Sequence, residues 1–152
     1  MKYEKYESLL ISADALEFKF ISEGPKGKIQ KVVQFIATSD AGIYNLAFGD
    51  LLPDGGVDDH IKNDNQDRNK ILATVAATIY EFTARYPEKM VFFTSSTLGR
   101  IRLYRIALTT NFEELEEDFE IYGVNLVRGA YFAEPFVKGK EYSGFLIKRK
   151  FD

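Results

Sequence analysis

The clearest helix in the sequence lies at residues 65–87, which read NQDRNKILATVAATIYEFTARYP. Its apolar residues recur at the spacing of one helical face, at Ile71, Val75, Ile79, Phe82 and Tyr86. Asp64 or Asn65 can cap the start, and Pro87 ends the helix because proline cannot continue it. The alanine-rich centre, ATVAAT, allows close packing, so we expect this helix to lie against a sheet.

Strand patterns precede this helix. Residues 16–20 alternate apolar and polar side chains, residues 28–37 do so imperfectly, and residues 43–50 are apolar on both faces. The turns between them are SEGPKG, at residues 22–27, and SDAG, at residues 39–42. Short turns between sequential strands predict a three-stranded antiparallel meander.

The second half of the chain adds one helix and several strands. KMVFFTSS predicts a short buried strand, TLGRIRLYRIALTTN a second helix, and YSGFLIKRK a last strand. Asn111 is expected to cap the acidic segment NFEELEED, which passes into a strand near Phe119. RIRLYRIAL also alternates acceptably as a strand, and that alternative stays open. The predicted fold class is α+β, with an antiparallel sheet (the N-terminal meander plus later strands) and two main helices packed on it.

Composition narrows the class of protein. A length of 152 residues predicts one globular domain over residues 1–152. The chain has no cysteine, which excludes disulfides, thiolate metal sites and a cysteine nucleophile. A net charge of −3 gives no global sign of nucleic-acid binding, so any basic surface must be local. The start has no signal-peptide pattern and no apolar run approaches ~20 residues, so we expect a cytoplasmic protein without a membrane partner.

Arg100 is the residue that most needs a partner. It lies in the stretch TSSTLGRIRLYR, at residues 94–105. On the helical interpretation, Arg102 and Arg105 share a polar stripe, whereas Arg100 projects into the apolar arc. A cation in a first turn opposes the helix dipole, and an unpaired buried charge is costly. We therefore expect a negative group beside Arg100.

Two kinds of negative group stay open. The first is a carboxylate in a structural ion pair, and the candidates are Asp50, Asp58, Asp59 and Asp67. The second is a bound phosphate or carboxylate, held by Arg100 and Arg102 and by the hydroxyls and backbone N–H groups of Ser95, Ser96 and Thr97. Hydroxyls at this place also serve simply as helix caps.

An acidic loop, DLLPDGGVDDHIKND at residues 50–64, offers oxygen ligands that Mg²⁺ or Ca²⁺ can use. It does not match an EF-hand, because Arg68 occupies the position that requires glycine. His60 is the only histidine, so one chain cannot build a site of several imidazoles. Asp-rich loops before helices are usually turns and caps, so we expect no cofactor and keep Mg²⁺ as the alternative.

Several separated blocks resemble a known family. They are YNLAFGD, the Asp58-Asp59 pair, NDNQDRNKILATVAATI and SSTLGRIRLYR. Together they resemble an uncharacterised family of small bacterial domains, found mainly in the Bacteroidetes, over roughly residues 16–124. The resemblance implies a compact, single-domain cytosolic protein. It implies no activity, ligand or catalytic residue.

Three functional hypotheses follow from these residues. The first is a non-catalytic binding module for an anionic ligand, such as a nucleotide or a nucleic-acid backbone, at the turn Ser95–Arg105. The second is a homodimer or the partner of a small protein, for which the aromatic-rich AYFAEPF would supply apolar surface. The third is a metal-assisted phosphoesterase or nuclease that uses Asp58, Asp59 and Asp67 with Arg100 on the phosphate.

Overall fold

The predicted N-terminal meander forms one half of a single large sheet. The computed structural model describes residues 3–58, 65–95 and 97–150. After a short β1 (Leu10–Ile11), the strands β2 (Glu17–Gly24), β3 (Gly27–Ala37) and β4 (Ile43–Leu51) follow one another. Each pairs antiparallel with the next, and Gly24 lies opposite Gly27 at the first hairpin. The meander is therefore confirmed.

In the described residues, the remaining elements include the two predicted main helices, α1 and α2, and a short third one, α3. Their bounds are β5 Val57–Asp58, α1 Arg68–Arg85, β6 Met90–Phe93, α2 Leu98–Thr110, α3 Phe112–Asp118, β7 Phe119–Val127, β8 Ala130–Pro135 and β9 Gly144–Arg149. The segment RIRLYRIAL is thus helical, and the acidic segment after Asn111 forms a helix of its own before β7. None of the helices in the described part of the chain is long and apolar enough to cross a membrane.

The sheet is not wholly antiparallel, which corrects the prediction. Its strand order is β1-β2-β3-β4-β6-β9-β7-β8, with β5 paired to β4. Ile43–Leu46 of β4 run parallel to β6, while every other described pair is antiparallel. A parallel neighbour needs a crossover connection of a dozen or more residues. The segment that contains α1 supplies it, and the strand pattern alone could not reveal which strand β6 would join.

The helices α1, α2 and α3 pack on one side of the sheet, which we call the helix-covered face. Phe35, Leu46, Phe93 and Phe145 lie opposite one another across four strands and form a row on this face. Phe82 of α1 stacks on Phe35 at 4.2 Å between ring centroids, and Tyr104 of α2 meets Phe93 at 5.3 Å. Leu115 of α3 joins the same core. The alanine-rich helix therefore lies against the sheet, as expected.

Candidate functional site

Toward the carboxyl end of β4, the residues on the helix-covered face change from apolar to charged. Two residues beyond Phe48, Asp50 lies opposite Lys31 of β3 on one side and opposite Asp58 of β5 on the other. Lys31 and Asp50 form an ion pair, and their side chains are only 5% and 11% exposed. Directly opposed residues on neighbouring strands are the closest partners in a sheet. Asp50, a candidate partner for Arg100, is therefore bound to Lys31.

Asp67 has structural partners of its own. Its carboxylate accepts hydrogen bonds from the hydroxyls of Tyr6 and Ser22. Burial, followed by the hydrogen bond to Asp67, raises the pKa of the Tyr6 hydroxyl. Asp67 occupies the N-cap position of α1, yet its side chain makes no capping bond. The carboxylate instead ties the start of α1 to β2 and to the N-terminal segment.

Asn65, predicted as a cap of the first helix, binds the first hairpin instead. Its Oδ1 accepts from the Lys26 N–H at 2.7 Å, and its Nδ2 donates to the Gly27 carbonyl at 2.9 Å. The contact is so close that a Cβ on Gly24 would lie 2.0 Å from the Asn65 carbonyl oxygen. Only glycine fits there, so GPKG is a hairpin tip that anchors the start of α1. The other predicted cap, Asp64, lies outside the described residues.

The start of α2 is a capped helix. Thr97 is the N-cap, and its Oγ1 accepts from the Arg100 N–H at 3.3 Å. Ser95 Oγ accepts in turn from the Thr97 N–H at 3.2 Å. These hydroxyls therefore satisfy backbone donors that would otherwise lack a partner. Ser96 lies outside the described residues.

Arg100 turns toward the sheet, as its position in the apolar arc predicted. The half-buried side chain donates from Nη1 to the Phe48 carbonyl at 2.9 Å, and the guanidinium lies 5.3 Å from the centre of the Phe48 ring. Across the described ranges, no carboxylate lies within 4.0 Å of it. By contrast, Arg102 is exposed, and Arg105 lies 3.9 Å from Glu141. The three arginines thus have three different environments.

Arg100 borders a groove of about 950 Å³, which we call the helix-start groove. Four parts of the chain line this groove. They are Asn65–Leu72, at the start of α1 and just before it; Thr97, Gly99, Arg100, Leu103 and Tyr104, at the start of α2; Lys31 and Phe48 of the sheet; and Tyr3 and Glu4 of the N-terminal segment. Four of these residues are cations (Lys31, Arg68, Lys70 and Arg100) and two are acids (Glu4 and Asp67). Ser95 and Arg102 do not line it.

The parallel pair β4/β6 explains why two helices begin at this groove. A helix that crosses between parallel strands runs antiparallel to them, so α1 begins near the carboxyl end of β4. The chain leaves β6 at its own carboxyl end and starts α2 there. The starts of α1 and α2 therefore lie at the same end of this parallel pair.

The acidic candidates do not assemble into a metal site in the part of the chain that the structure describes. Asp50 and Asp58 are opposed across two strands, and Asp67 binds two hydroxyls. Among the described residues, no group of three or more His, Cys, Asp or Glu side chains could hold a metal ion. Asp59 and His60 lie outside that part. The phosphoesterase hypothesis thus receives no support from the described carboxylates.

Sequence reasoning missed Lys31, Arg68 and Lys70. A usable signal existed for the latter two, because Arg68 and Lys70 fall in the first turn of α1, which contains no acidic residue. Arg100 lies in the same position in α2, and cations are unfavourable in the first turn of a helix because of the helix dipole. Lys31 had no such signal, because it looks like any solvent-facing lysine of a strand.

Comparison with known proteins places the chain in a family. No curated protein and no solved structure matches it. One family model covers nearly the whole chain, residues 2–150. The chain belongs to DUF6934, a family of unknown function.

Proposed function

We propose that the protein is a non-catalytic binding module whose helix-start groove takes a phosphate- or carboxylate-bearing ligand, with nucleotides and nucleic-acid backbones within the class. The bacterial origin and the cytoplasmic location expected from the sequence belong to the same proposal. The anionic group would bind between the starts of α1 and α2, in contact with Arg100, Thr97 and Arg68.

The observation that carries the proposal is the environment of Arg100. A guanidinium has five N–H donors in a planar fork. Among the described residues, its hydrogen bond goes to one carbonyl oxygen and its cation–π contact to one ring face, both belonging to Phe48. The side chain borders the groove, so a ligand bound there would lie beside it. A bidentate phosphate or carboxylate is the partner that this fork fits best.

The helix starts add to the attraction for an anion. The dipole of each helix puts partial positive charge at its first turn, where free N–H groups also collect. Neither α1 nor α2 carries an acidic residue in that turn, although the Asp67 carboxylate lies at the N-cap of α1; Arg68, Lys70 and Arg100 add full positive charges. An anion in the groove would add to Asp67 in offsetting the repulsion between these cations and the helix dipoles. The groove volume also lies within the range of ~300–1,000 Å³ typical of ligand sites.

Binding of inorganic pyrophosphate and AMP, measured by isothermal titration calorimetry at constant ionic strength, tests the proposal. Arg100→Met should weaken binding by at least about 10-fold, because hydrogen bonds to a charged group are lost. Arg102→Met is the matched control on the same helix, and it should change the affinity by less than about 2-fold. The proposal fails if neither probe binds the unaltered protein, or if both variants weaken binding equally.

A homodimer through β8 is the second candidate. β8 is the last strand in the sheet order, so its outer main-chain groups lie at an edge. Tyr131 and Phe132 on this strand are 64% and 60% exposed, and Leu126 and Val127 of β7 lie beside them, about half exposed. Apolar side chains on an exposed edge favour pairing with another strand.

Size-exclusion chromatography with light scattering tests this second candidate. The unaltered protein should give a dimer mass, and the double variant Tyr131→Lys/Phe132→Lys should give a monomer. Val137→Lys, which alters a comparably exposed residue outside β8, should leave the dimer intact. A monomer at every concentration of the unaltered protein would exclude the candidate.

A further inference from the structure

The outer edge of β8 carries main-chain N–H and C=O groups that have no hydrogen-bond partner among the described residues. β8 is the last strand in the sheet order, and all of its residues except Glu134 are exposed. A two-residue turn joins it to β7, so the residues that flank this turn, Val127 and Ala130, form a hydrogen-bonded pair. Such pairs alternate with non-hydrogen-bonded pairs along an antiparallel ladder. Tyr131 and Ala133 therefore point their N–H and C=O groups away from β7.

Pro135 agrees with this assignment. It lies two residues beyond Ala133 in the same ladder, so it also faces outward. Proline has no N–H, and a sheet tolerates it where the missing donor would have pointed away from the neighbouring strand. The outer edge of β8 thus offers a donor and an acceptor at each of Tyr131 and Ala133, and an acceptor alone at Pro135.

Apolar side chains flank these groups on both faces of the sheet. Tyr131 is 64% exposed on the face opposite the helix-covered face, where its ring meets Phe92 at 5.9 Å between centroids. Phe132, 60% exposed, points to the other face. Leu126 and Val127 of β7 lie beside Tyr131 and Phe132 and extend the two apolar areas. A strand that pairs with β8 would therefore bury apolar surface on both faces as well as satisfy main-chain groups.

The charges near β8 favour a second copy of the chain in antiparallel orientation. Arg128 lies in the turn before the strand and Glu134 near its end. An antiparallel copy brings the partner's Arg128 to the end that carries Glu134, whereas a parallel copy would bring like charges together. Glu134 already pairs with Lys140 of its own copy at 2.5 Å, so its carboxylate would then lie between two cations.

Hydrogen bonding selects one register among those that place outward-facing residues opposite one another. With Phe132 opposite the partner's Phe132, Tyr131 pairs with the partner's Ala133, and every N–H and C=O of these two residues is bonded. With Ala133 at the centre, Tyr131 would face the partner's Pro135, which has no N–H, and its carbonyl would stay unpaired. With Tyr131 at the centre, Ala133 would face the partner's Gly129, a turn residue with φ 80° that does not continue the strand.

We infer that two copies of the chain join their sheets through an antiparallel pairing of β8 with β8, with Phe132 on the twofold axis. This inference rests on the second candidate for the proposed function, the homodimer, and adds the geometry of its interface. The two Phe132 side chains occupy a directly opposed, non-hydrogen-bonded position, where cross-strand side chains are closest. No residue of β8 lines the helix-start groove, so the groove of each copy stays open in this dimer.

Cross-linking of single-cysteine variants tests the register, since the unaltered chain has no cysteine. Under mild oxidation, Phe132→Cys should form a disulfide between copies at least about 10-fold faster than Tyr131→Cys or Ala133→Cys. The physical reason is that only a residue on the twofold axis lies directly opposite its own counterpart. Non-reducing gel electrophoresis after timed oxidation measures the three rates. Faster cross-linking at Tyr131 or Ala133 overturns the inference, because either result puts a different residue on the axis.

Hydrogen exchange of the unaltered protein decides the case in which Phe132→Cys weakens the dimer. The amide N–H groups of Tyr131 and Ala133 should exchange more slowly at high than at low protein concentration, because the partner strand binds them. The Glu134 N–H, which faces β7, is the internal control and should not depend on concentration. Light scattering separates this inference from the homodimer itself. A dimer whose Tyr131 and Ala133 amides are not protected overturns the inference alone, whereas a monomer at every concentration overturns both.

Discussion

At one end of the helix-covered face, rings from α1 and α2 seal the row that contains Phe35 and Phe93. At the other end of β3 and β4, the ion pair Lys31–Asp50 lies on the same face, and the helix-start groove opens between the starts of α1 and α2. The two ends share strands and helices but differ in what they bury. Apolar packing stabilises the first end, which we call the apolar end. The second, which we call the polar end, has charged side chains beside an open groove and therefore less stabilising apolar packing. The following predictions test this division.

Phe82→Ala should have the largest effect on stability. Phe82 is fully buried and stacks on Phe35, so its removal leaves a cavity in the apolar end. We expect a loss of about 4 kcal/mol in the free energy of unfolding, measured with urea. Phe82→Leu, the control that keeps the site apolar, should lose far less. A loss below about 1 kcal/mol for Phe82→Ala would show that the apolar end does not dominate stability.

Lys31→Met should have the next largest effect, about 3 kcal/mol of unfolding free energy. The physical reason is that the change breaks an ion pair whose two side chains are only 5% and 11% exposed. The double variant Lys31→Met/Asp50→Leu should be more stable than the single one, since it removes both charges. Urea denaturation of the three proteins checks this order. If the single variant is as stable as the double variant, the Lys31–Asp50 ion pair does not contribute to the free energy of unfolding as predicted.

Tyr6→Phe should cost about 2 kcal/mol, because its hydroxyl donates to the Asp67 carboxylate and hydrogen bonds to charged groups are the stronger ones. Tyr3→Phe is the matched control in the same segment and should be nearly neutral. Chemical denaturation gives both values. Equal losses would mean that the Tyr6–Asp67 bond does not hold the N-terminal segment to the polar end.

Tyr80 should make stability fall at alkaline pH. Burial, with the Asp118 hydrogen bond second, raises the pKa of its hydroxyl to about 12. The unfolded chain loses this proton near pH 10 and the folded chain does not, so the stabilisation is complete below pH 10 and is lost as pH rises toward 12. Tyr80→Phe should flatten this decline and cost about 1 kcal/mol at pH 7. Urea denaturation at several pH values measures both. An unchanged slope would contradict the assignment to Tyr80.

Arg102→Ala should have the smallest effect. The side chain is exposed and lies outside the groove, so the free energy of unfolding should change by no more than about 0.5 kcal/mol. Thermal unfolding of the variant beside the unaltered protein checks this. A larger loss would show that Arg102 has a role that its position on the polar stripe does not explain.

The pattern of residues predicted the helices and strands better than it predicted which strands pair with one another. Alternation in β2 and β3, and the 3.6-residue spacing of Ile71 to Phe82, depend on neighbours within a few residues, so they can be read from the chain. The helical position of Arg100 was likewise correct, because the apolar arc follows from spacing alone. The sheet order, by contrast, joins β4 to β6 across more than forty residues. Contacts at that separation leave no local signal.

The candidate site shows the same limit. Spacing indicated that Arg100 needs a partner, but it could not show that Asp50 would pair with Lys31 and that Asp67 would bind Tyr6 and Ser22. Spacing also could not show that Arg68 would line the same groove as Arg100, because the position of both residues depends on where α1 and α2 begin relative to the parallel pair β4/β6. Asn111 was read as a cap because its residue type is common there. Its actual bond to Ala107 depends on the junction of two helices.

By itself, the sequence determined the α+β class, the meander, the two long helices and the hairpin tip at GPKG, because propensity, capping and periodicity act over a few residues. Only the tertiary structure decided which carboxylates were already bound to other side chains and where the two helix starts converge. The physical reason is that a charge takes its partner from whatever the fold brings within hydrogen-bonding distance. Around Arg100, among the described residues, the fold brought the carbonyl and ring of Phe48 and an open groove.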